Sequence, residues 1–260
     1  VDINEAFFAA EYLLDYTIHS YAKPIIVWGS GIVMGGGIGL MCGASHRLVT
    51  PSSKLAMPEI TSGLYPDVGG SWFLNRMPAG LGLFVGLTGV HLNASDALEL
   101  DLADRLVPPN ARDTIIETLA AADFTSDEQA IVHAVLKNWE QEAADMHPPA
   151  QIAERRAVIR ELTDHARLVA VVDAILELDT EDAWLTRAQS TLARGYPMTA
   201  HLVYEQIQRS KHMSLAEVFQ MEMILSARCS MEPDFREGVR ALLIDKDGKP
   251  NWAHTSATGV

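Results

Sequence analysis

Three consecutive glycines, Gly35 to Gly37, stand at the end of an apolar segment with the sequence PIIVWGSGIVM. A short apolar run of this kind is typical of a buried strand, and glycine allows a tight turn at its end. The residues that follow, IGLMCGAS, have a helical pattern. The glycines have two interpretations: a turn that only permits close packing, or a helix start whose backbone N–H groups face negative charge on a ligand.

The glycine turn lies in a first region, residues 1–110, in which helical and strand patterns alternate. We predict a helix over 3–21 before the apolar strand, and further strands in HRLVT, LAMPE and ADRLVP. Helical patterns cover GGSWFLNRM, LGLFVGLTG and ASDALEL, the last with Ser95 as its N-cap. This alternation predicts the α/β class.

A second region, residues 111–260, is helical in pattern almost throughout. Acidic residues beside Ser126 and Ser214 indicate helix starts. No low-complexity linker separates the regions, so we predict an α/β core over 1–110 and a helical C-terminal region over 111–260 that packs on it. The predicted helices of this region span 112–123, 126–145, 150–161, 163–178, 181–194, 198–211, 214–228 and 234–243.

The composition excludes several classes of protein. A net charge of −14 argues against nucleic acid as the main partner, because phosphate binding needs clustered Lys and Arg. No apolar run is long enough for a transmembrane helix, and the chain has neither a histidine metal motif nor a G-x-S-x-G elbow. The two cysteines, Cys42 and Cys229, lack metal or C-x-x-C spacing, and we expect both to be buried thiols in a reducing compartment.

Two carboxylates, Glu59 and Asp67, lie in the stretch AMPEITSGLYPDVGG, which is otherwise poor in charge. A structural interpretation makes Glu59 the partner of Arg47 or Arg76, and makes Asp67 a cap for the helix that follows. The functional interpretation is an acid/base couple in a pocket, where burial raises the pKa of one carboxylate while the other stays ionised. The residues alone leave both interpretations open.

Four stretches, KPIIVWGSGIVMGGGIGL, LAMPEITSGLYPDVGGSWFLNRM, GLTGVHLNASDALELDLADRLVP and DFREGVRALLIDKDGKPNW, resemble the enoyl-CoA hydratase/isomerase (crotonase) superfamily. More closely they resemble its 3-hydroxyisobutyryl-CoA hydrolase branch. The resemblance implies a crotonase-like ββα spiral, with its N-terminal strands absent from this chain, followed by an all-helical C-terminal region. It also implies hydrolysis of an acyl-CoA thioester.

The resemblance assigns roles to five residues. Gly36, beside Gly35 in the substrate-binding turn, would supply an oxyanion-hole N–H for the thioester carbonyl. Glu59 and Asp67 match the acidic pair of the hydrolases, with Glu59 as nucleophile or as general base for water. Glu11 matches a glutamate that contacts the substrate. Hydratases have a second glutamate at the position of Gly39, so its absence favours hydrolysis.

The resemblance further implies an acyl-CoA substrate, no metal, no cofactor beyond the CoA of the substrate, and no nucleic-acid or membrane partner. Superfamily members form homo-oligomers, and the oligomeric state stays open here. The family's upstream glycine-rich segment has no counterpart in Val1–Glu11, so we expect a separate or missing piece and an inactive 260-residue chain without it. The expected compartment is the cytoplasm in a bacterium or the mitochondrial matrix in a eukaryote. The alternatives are a hydratase or isomerase on another acyl-CoA, or a non-catalytic scaffold.

Overall fold

The computed structural model describes residues 3–254, beginning with helix α1 (Ile3–His19), which the apolar pattern over 3–21 predicts. Six short strands follow within the first region of the chain. Their bounds are β1 (Ile26–Gly29), β2 (Ile32–Met34), β3 (His46–Val49), β4 (Lys54–Ala56), β5 (Leu92–Asn93) and β6 (Arg105–Leu106).

The strands form two small sheets. One has the order β1-β3-β6 and is parallel throughout, and the other has the order β2-β4-β5. In the second sheet β2 and β4 are parallel, whereas β4 and β5 are antiparallel. Mixed pairing of this kind, together with helices between the strands, agrees with the predicted α/β class.

The segment PIIVWGSGIVM corrects the sequence-based expectation of one fully buried strand. It forms two strands, β1 and β2, which belong to different sheets. The chain breaks between them because Gly31 has a φ of 67°, a left-handed conformation that ends the extended backbone. Ile32 is 75% exposed, so β2 is not buried along its whole length.

Four helices accompany the strands and fall in the predicted helical stretches, although α2 starts two residues before IGLMCGAS. The fourth, α5, is capped by Asn93 rather than by Ser95: the Asn93 side chain accepts the N–H of Asp96, and the Asp96 carboxylate accepts the N–H of Asn93. Ser95 instead donates its hydroxyl to the carbonyl of Pro148. The bounds are α2 (Gly36–Gly43), α3 (Gly70–Leu74), α4 (Leu81–Thr88) and α5 (Ala94–Glu99).

The second region contains eight α-helices in its described part, up to residue 254, one for each predicted segment. Asp127 and Ser214 cap two of them with their side chains, in the acidic starts that the sequence indicates. A π-helical turn, Arg240–Ile244, follows the last. The bounds are α6 (Arg112–Ala120), α7 (Glu128–Glu142), α8 (Ile152–Thr163), α9 (Leu168–Leu176), α10 (Ala183–Arg194), α11 (Pro197–Ser210), α12 (Leu215–Cys229) and α13 (Pro233–Val239).

One apolar core joins the two regions. Helix α4 packs against α8, α10 and α11, and α1 packs against α12. Side chains such as Phe84, Val203 and Phe219 are buried in this common core. Helix α12 therefore touches both α1 and the segment around α3, which brings distant parts of the chain to one place. No helix within residues 3–254 is long and apolar enough to cross a membrane.

Helices α1 and α2 approach each other closely along a row of glycines. The row consists of Gly36, Gly39 and Gly43 of α2. A methyl group on any of them would lie 2.8–3.1 Å from a polar side chain of α1, so the glycines leave space for these side chains. The spacing of the polar side chains, four residues each time, places them on one face of α1. The facing pairs are Glu11 with Gly36, Asp15 with Gly39, and His19 with Gly43.

Candidate functional site

A cavity of about 300 Å³ lies between the amino-terminal part of α1, the start of α2 and the loop that follows β4. All five residues that the sequence singles out line it: Glu11, Gly35, Gly36, Glu59 and Asp67. They come from three separate segments of the chain. The fold thus brings a helix start and three carboxylates to one concave site, an arrangement suited to binding and converting a small polar group.

The rest of the wall is mostly apolar. Phe7 and Phe8 of α1 and Phe235 of α13 supply aromatic rings, and no Lys or Arg among residues 3–254 lines the cavity. Low polarity strengthens the electrostatic interactions of the few polar groups present. A carbonyl group that enters this cavity would meet carboxylates and the glycine turn at the start of α2.

The start of α2 lines the cavity with Gly35 and Gly36. Gly35 is the N-cap, with a φ of 52° that favours glycine, and Gly36 is the first helical residue. The first N–H groups of a helix have no partner inside the helix, and they carry partial positive charge. A methyl group on Gly36 would lie 2.8 Å from Oε1 of Glu11, and one on Gly35 would lie 3.2 Å from Oε1 of Glu59. Both carboxylates therefore face the glycine turn.

Glu59 begins a 3₁₀ turn, Glu59–Thr61, directly after Pro58. Its side chain is 7% exposed, and Oε2 has no hydrogen-bond partner among the described residues. Burial, followed by the nearby charge of Asp67, raises the pKa of Glu59 well above its ordinary value. A buried carboxylate without a cation among the described residues is costly, and carboxylates with strongly raised pKa values are common at functional sites.

The ion-pair interpretation of Glu59 is wrong. Arg47 pairs with Asp101 and Asp104 instead. The guanidinium of Arg76 stacks on the ring of Trp72, with its carbon 3.1 Å from the ring centre. Neither arginine reaches the cavity.

The interpretation of Asp67 as a helix cap is also wrong. Gly69 is the N-cap of α3, without a side-chain cap, and Oδ2 of Asp67 instead accepts the hydroxyl of Tyr12 at 2.6 Å. Glu222 of α12 takes the capping role, since its carboxylate accepts the N–H groups of Gly69 and Ser71 at 2.7 and 2.9 Å. Burial raises the pKa of Asp67 to about 7, while the bond from Tyr12 lowers it.

Gly39 has no room for a side chain. A methyl group there would lie 2.6 Å from Cβ of Val68, far inside normal contact distance. Val68 has a φ of 52°, a strained conformation for a β-branched residue, and it follows Asp67 directly. The backbone that aims Asp67 into the cavity therefore also closes the space beside Gly39.

Asp15 is a buried carboxylate that the sequence did not single out. It is 1% exposed, and neither oxygen has a hydrogen-bond partner among the described residues. Burial, with the charges of Glu11 and Asp67, raises the pKa of Asp15 to about 7. The sequence did not single out Tyr12 or Glu222 either. The available signal was an ionisable residue inside an apolar helical run, as in AEYLLD for Asp15 and MEMIL for Glu222.

The titration of Asp15 gives a testable stability effect. An unfolded carboxyl ionises near pH 4 and the folded one near 7, so between these values the folded state holds one more proton and stability falls as the pH rises. Asp15→Asn cannot ionise. We therefore expect its free energy of unfolding, relative to that of wild type, to increase by about 2 kcal/mol from pH 5 to pH 7. Denaturant unfolding at both pH values measures the gain, and an equal difference at the two would contradict it.

Comparison with known proteins places the chain in a family. The family model described as enoyl-CoA hydratase/isomerase matches residues 2–260. The chain belongs to the enoyl-CoA hydratase/isomerase family. Two solved structures of this family resemble it over nearly its full length, each at 31% identity. One is titled an enoyl-CoA hydratase from Rhodobacter sphaeroides (TM-score 0.84, 99% of this chain and 71% of that one), and the other a carnitinyl-CoA dehydratase from Mycobacterium thermoresistibile (0.86, 98% and 70%).

Curated relatives in the family carry a different name. The zebrafish protein named mitochondrial 3-hydroxyisobutyryl-CoA hydrolase is 36% identical over 99% of this chain and 67% of its own length. The human protein of the same name is 33% identical over 96% of this chain and 64% of its own length. The chain thus spans about two thirds of the length of the curated relatives it matches.

Proposed function

We propose that this chain forms the catalytic part of an acyl-CoA thioester hydrolase, and that its substrate is 3-hydroxyisobutyryl-CoA, which it converts to 3-hydroxyisobutyrate and CoA. The observation that carries the proposal is the shared cavity of Gly36 and Glu59, with Asp67 on the same wall. Thioester hydrolysis needs a group that attacks the carbonyl carbon, or activates water to do so, and a donor for the carbonyl oxygen. The names of the curated relatives support the choice of substrate.

The reaction has two versions that use the same residues. In the first, an oxygen of ionised Glu59 attacks the carbonyl carbon, negative charge moves to the oxygen at the Gly36 N–H, and the C–S bond breaks to release CoA thiolate. Water then cleaves the resulting mixed anhydride, which returns the Glu59 carboxylate and the product acid. In the second, Glu59 takes a proton from a water molecule as that water attacks the carbonyl carbon. The tetrahedral intermediate then collapses, the C–S bond breaks, and the departing CoA sulfur takes the proton from Glu59 to leave as the thiol.

Asp67 and Glu11 act on the acyl group. Both carboxylates line the cavity that holds the reacting carbonyl, so each is placed to accept a hydrogen bond from the hydroxyl of the substrate. Asp67 also assists proton transfer to or from water. A pKa of about 7 suits such a role, because the group can both hold and release a proton near neutral pH.

Hydration of an enoyl-CoA is the second candidate, and the name of the Rhodobacter sphaeroides structure favours it. Adding water to a C=C bond takes one group to deliver hydroxide and another to protonate carbon, and the resemblance places the second acid of hydratases at position 39. In this chain that position is a glycine pressed against Val68. The arrangement therefore favours hydrolysis over hydration.

A comparison of substrates tests the proposal. We expect release of free CoA thiol from short 3-hydroxyacyl-CoA esters, fastest with 3-hydroxyisobutyryl-CoA, and no change in enoyl absorbance with crotonyl-CoA. The assay uses this chain with the expected upstream segment supplied. Loss of enoyl absorbance without thiol release would assign the protein to the hydratases, and an absence of both would favour a non-catalytic scaffold.

Cofactors, assembly and compartment also belong to the proposed function. We propose that the reaction uses no metal and no cofactor apart from the CoA moiety of the substrate. Assembly into a homo-oligomer and completion of the fold by an upstream segment are part of the same proposal. The zebrafish and human relatives are named as mitochondrial proteins, and the compartment we propose here is the mitochondrial matrix or, in a bacterium, the cytoplasm.

A further inference from the structure

The hydroxyl of Tyr12 lies at the centre of a buried hydrogen-bond network. It donates to Oδ2 of Asp67 at 2.6 Å and lies 2.5 Å from Oγ of Ser226. Ser226 is in turn 2.9 Å from the hydroxyl of Tyr65, which donates to the backbone carbonyl of Glu222 at 2.9 Å. Tyr12 is 3% exposed, and all the other members of the network are buried. The network joins α1, the loop before α3 and α12.

The number of protons in the network determines the direction of its bonds. A tyrosine hydroxyl has one proton, and the carbonyl of Glu222 can only accept, so Tyr65 donates there. An ionised Asp67 can only accept, so the single proton of Tyr12 points to it. Ser226 then donates its own proton to one of the two tyrosine oxygens. The Oγ of Ser226 could also accept the proton of Tyr12, but an ionised carboxylate is the stronger acceptor, and this holds the Tyr12 hydroxyl toward Asp67.

The hydrogen bond from Tyr12 engages one carboxylate oxygen of Asp67 and leaves the second oxygen available to the cavity. Oδ2 is held by Tyr12, whereas Oδ1 has no side-chain partner among the described residues, and Asp67 lines the cavity. We propose that Tyr12 is a positioning residue, which holds Oδ2 of Asp67 so that Oδ1 faces the acyl group of the substrate. This inference rests on the proposed function for its kinetic consequence, but the pairing itself can be tested without activity.

Asp67 is surrounded by acidic and neutral groups, so Tyr12 is its main stabilising contact. No basic group is among the causes that shift its pKa or that of its neighbours in the network. Burial raises the pKa of Tyr12 far above its ordinary value, so Tyr12 stays a neutral donor at all relevant pH values. The titratable groups around Asp67 are Glu11 and Asp15 from α1, Glu59 and Tyr65 from the chain between β4 and α3, and Glu222 and Cys229 from α12.

The kinetic test is Tyr12→Phe, which removes one oxygen atom. Because hydrogen bonds to charged groups are among the stronger ones, we expect kcat/KM for thiol release at pH 7 to fall about 10- to 100-fold. The Asp67 carboxyl also loses the donor that lowers its pKa. In a plot of kcat/KM against pH, we therefore expect the inflection near pH 7, here called the limb, to shift to higher pH by at least about half a unit. A normalised profile that superimposes on that of the wild type would overturn the proposal.

Two further variants separate positioning from a general effect on the fold. Tyr65→Phe removes a buried hydroxyl from the same network without touching Asp67, and we expect it to leave the limb in place. In an Asp67→Asn background, Tyr12→Phe should change kcat/KM less than about twofold, since a residue that acts through Asp67 has little left to affect. An equal shift with Tyr65→Phe, or full additivity with Asp67→Asn, would show that Tyr12 does not act through Asp67.

Thermal unfolding gives a readout that does not depend on activity. A phenol stabilises an ionised carboxylate more than a protonated one, so the loss of stability in Tyr12→Phe should be larger at pH 8.5 than at pH 5.5, by about 2–4 °C in Tm. Tyr65→Phe should show no such widening, because its acceptor is a neutral carbonyl. If the Tm difference between wild type and Tyr12→Phe grows with pH in a protein that releases no thiol, the pairing of Tyr12 with Asp67 is supported and the proposed function is rejected. A constant gap would reject the pairing.

Discussion

Replacing Glu59 by Gln should abolish most of the thiol release, with a fall in kcat of about 10²–10⁴-fold. Gln has nearly the same size and retains one oxygen, but it can neither attack the carbonyl carbon nor take a proton from water. The fold should not lose stability, because the buried Glu59 carboxylate has an unpartnered Oε2 and a strongly raised pKa. The measurements are steady-state thiol release and thermal unfolding at pH 7.

Glu205→Gln is a suitable control for that variant. It makes the same chemical change at an exposed position, where Glu205 pairs with Arg209 one helical turn away. We expect activity within about a factor of two of wild type, since exposed pairs of this kind contribute little. Activity of Glu59→Gln at the same level would exclude Glu59 from the reaction and leave the non-catalytic scaffold as the better hypothesis.

The second large effect is expected at Gly36, where the backbone rather than a side chain is proposed to act. Gly36→Pro removes the N–H, and proline is well tolerated at the first position of a helix, which Gly36 occupies in α2. The loss of one oxyanion-hole donor costs about 10²–10³ in rate. We expect a loss of this size in kcat, with helix content by circular dichroism unchanged.

Gly36→Ala is the matched variant. Alanine and proline both place a Cβ atom 2.8 Å from Oε1 of Glu11, at the flexible end of that side chain, but only proline lacks the N–H. The difference between the two variants therefore reports the loss of the N–H together with the ring carbon that replaces it. If Gly36→Pro and Gly36→Ala lose the same activity, the loss comes from crowding of Glu11, and Gly36 is not the donor.

The local elements of this fold could be predicted because their signals lie within a few residues. The eight helices of the second region follow from apolar periodicity, and Asp127 and Ser214 mark two of their starts with bonds that span two or three residues. The two incorrect predictions about these elements also have local causes. One strand became two because Gly31 turns the chain, and Asn93 rather than Ser95 caps α5, since either residue type suits that position.

The candidate site was predictable in part. Glu59, Asp67 and the glycine turn belong to two short stretches whose resemblance to known enzymes is specific, and their common cavity agrees with that resemblance. The surroundings of these residues were not predictable. The partner of Asp67 is 55 positions away, and the carboxylate that caps α3 is about 150 positions away, so no local pattern connects them.

The sequence by itself thus determined the class of the fold and the order of its helices, because backbone hydrogen bonding and apolar periodicity act over short stretches of chain. Its resemblance to known enzymes singled out the residues of the candidate site. Only the tertiary structure decided the protonation of those residues. Burial of Glu59, Asp67 and Asp15 in one low-dielectric region, with Tyr12 as a donor and no basic side chain on the cavity wall, depends on how α1, α2 and α12 pack together. The cost of removing a carboxylate from water is a property of that packing, and it has no counterpart in the order of the residues.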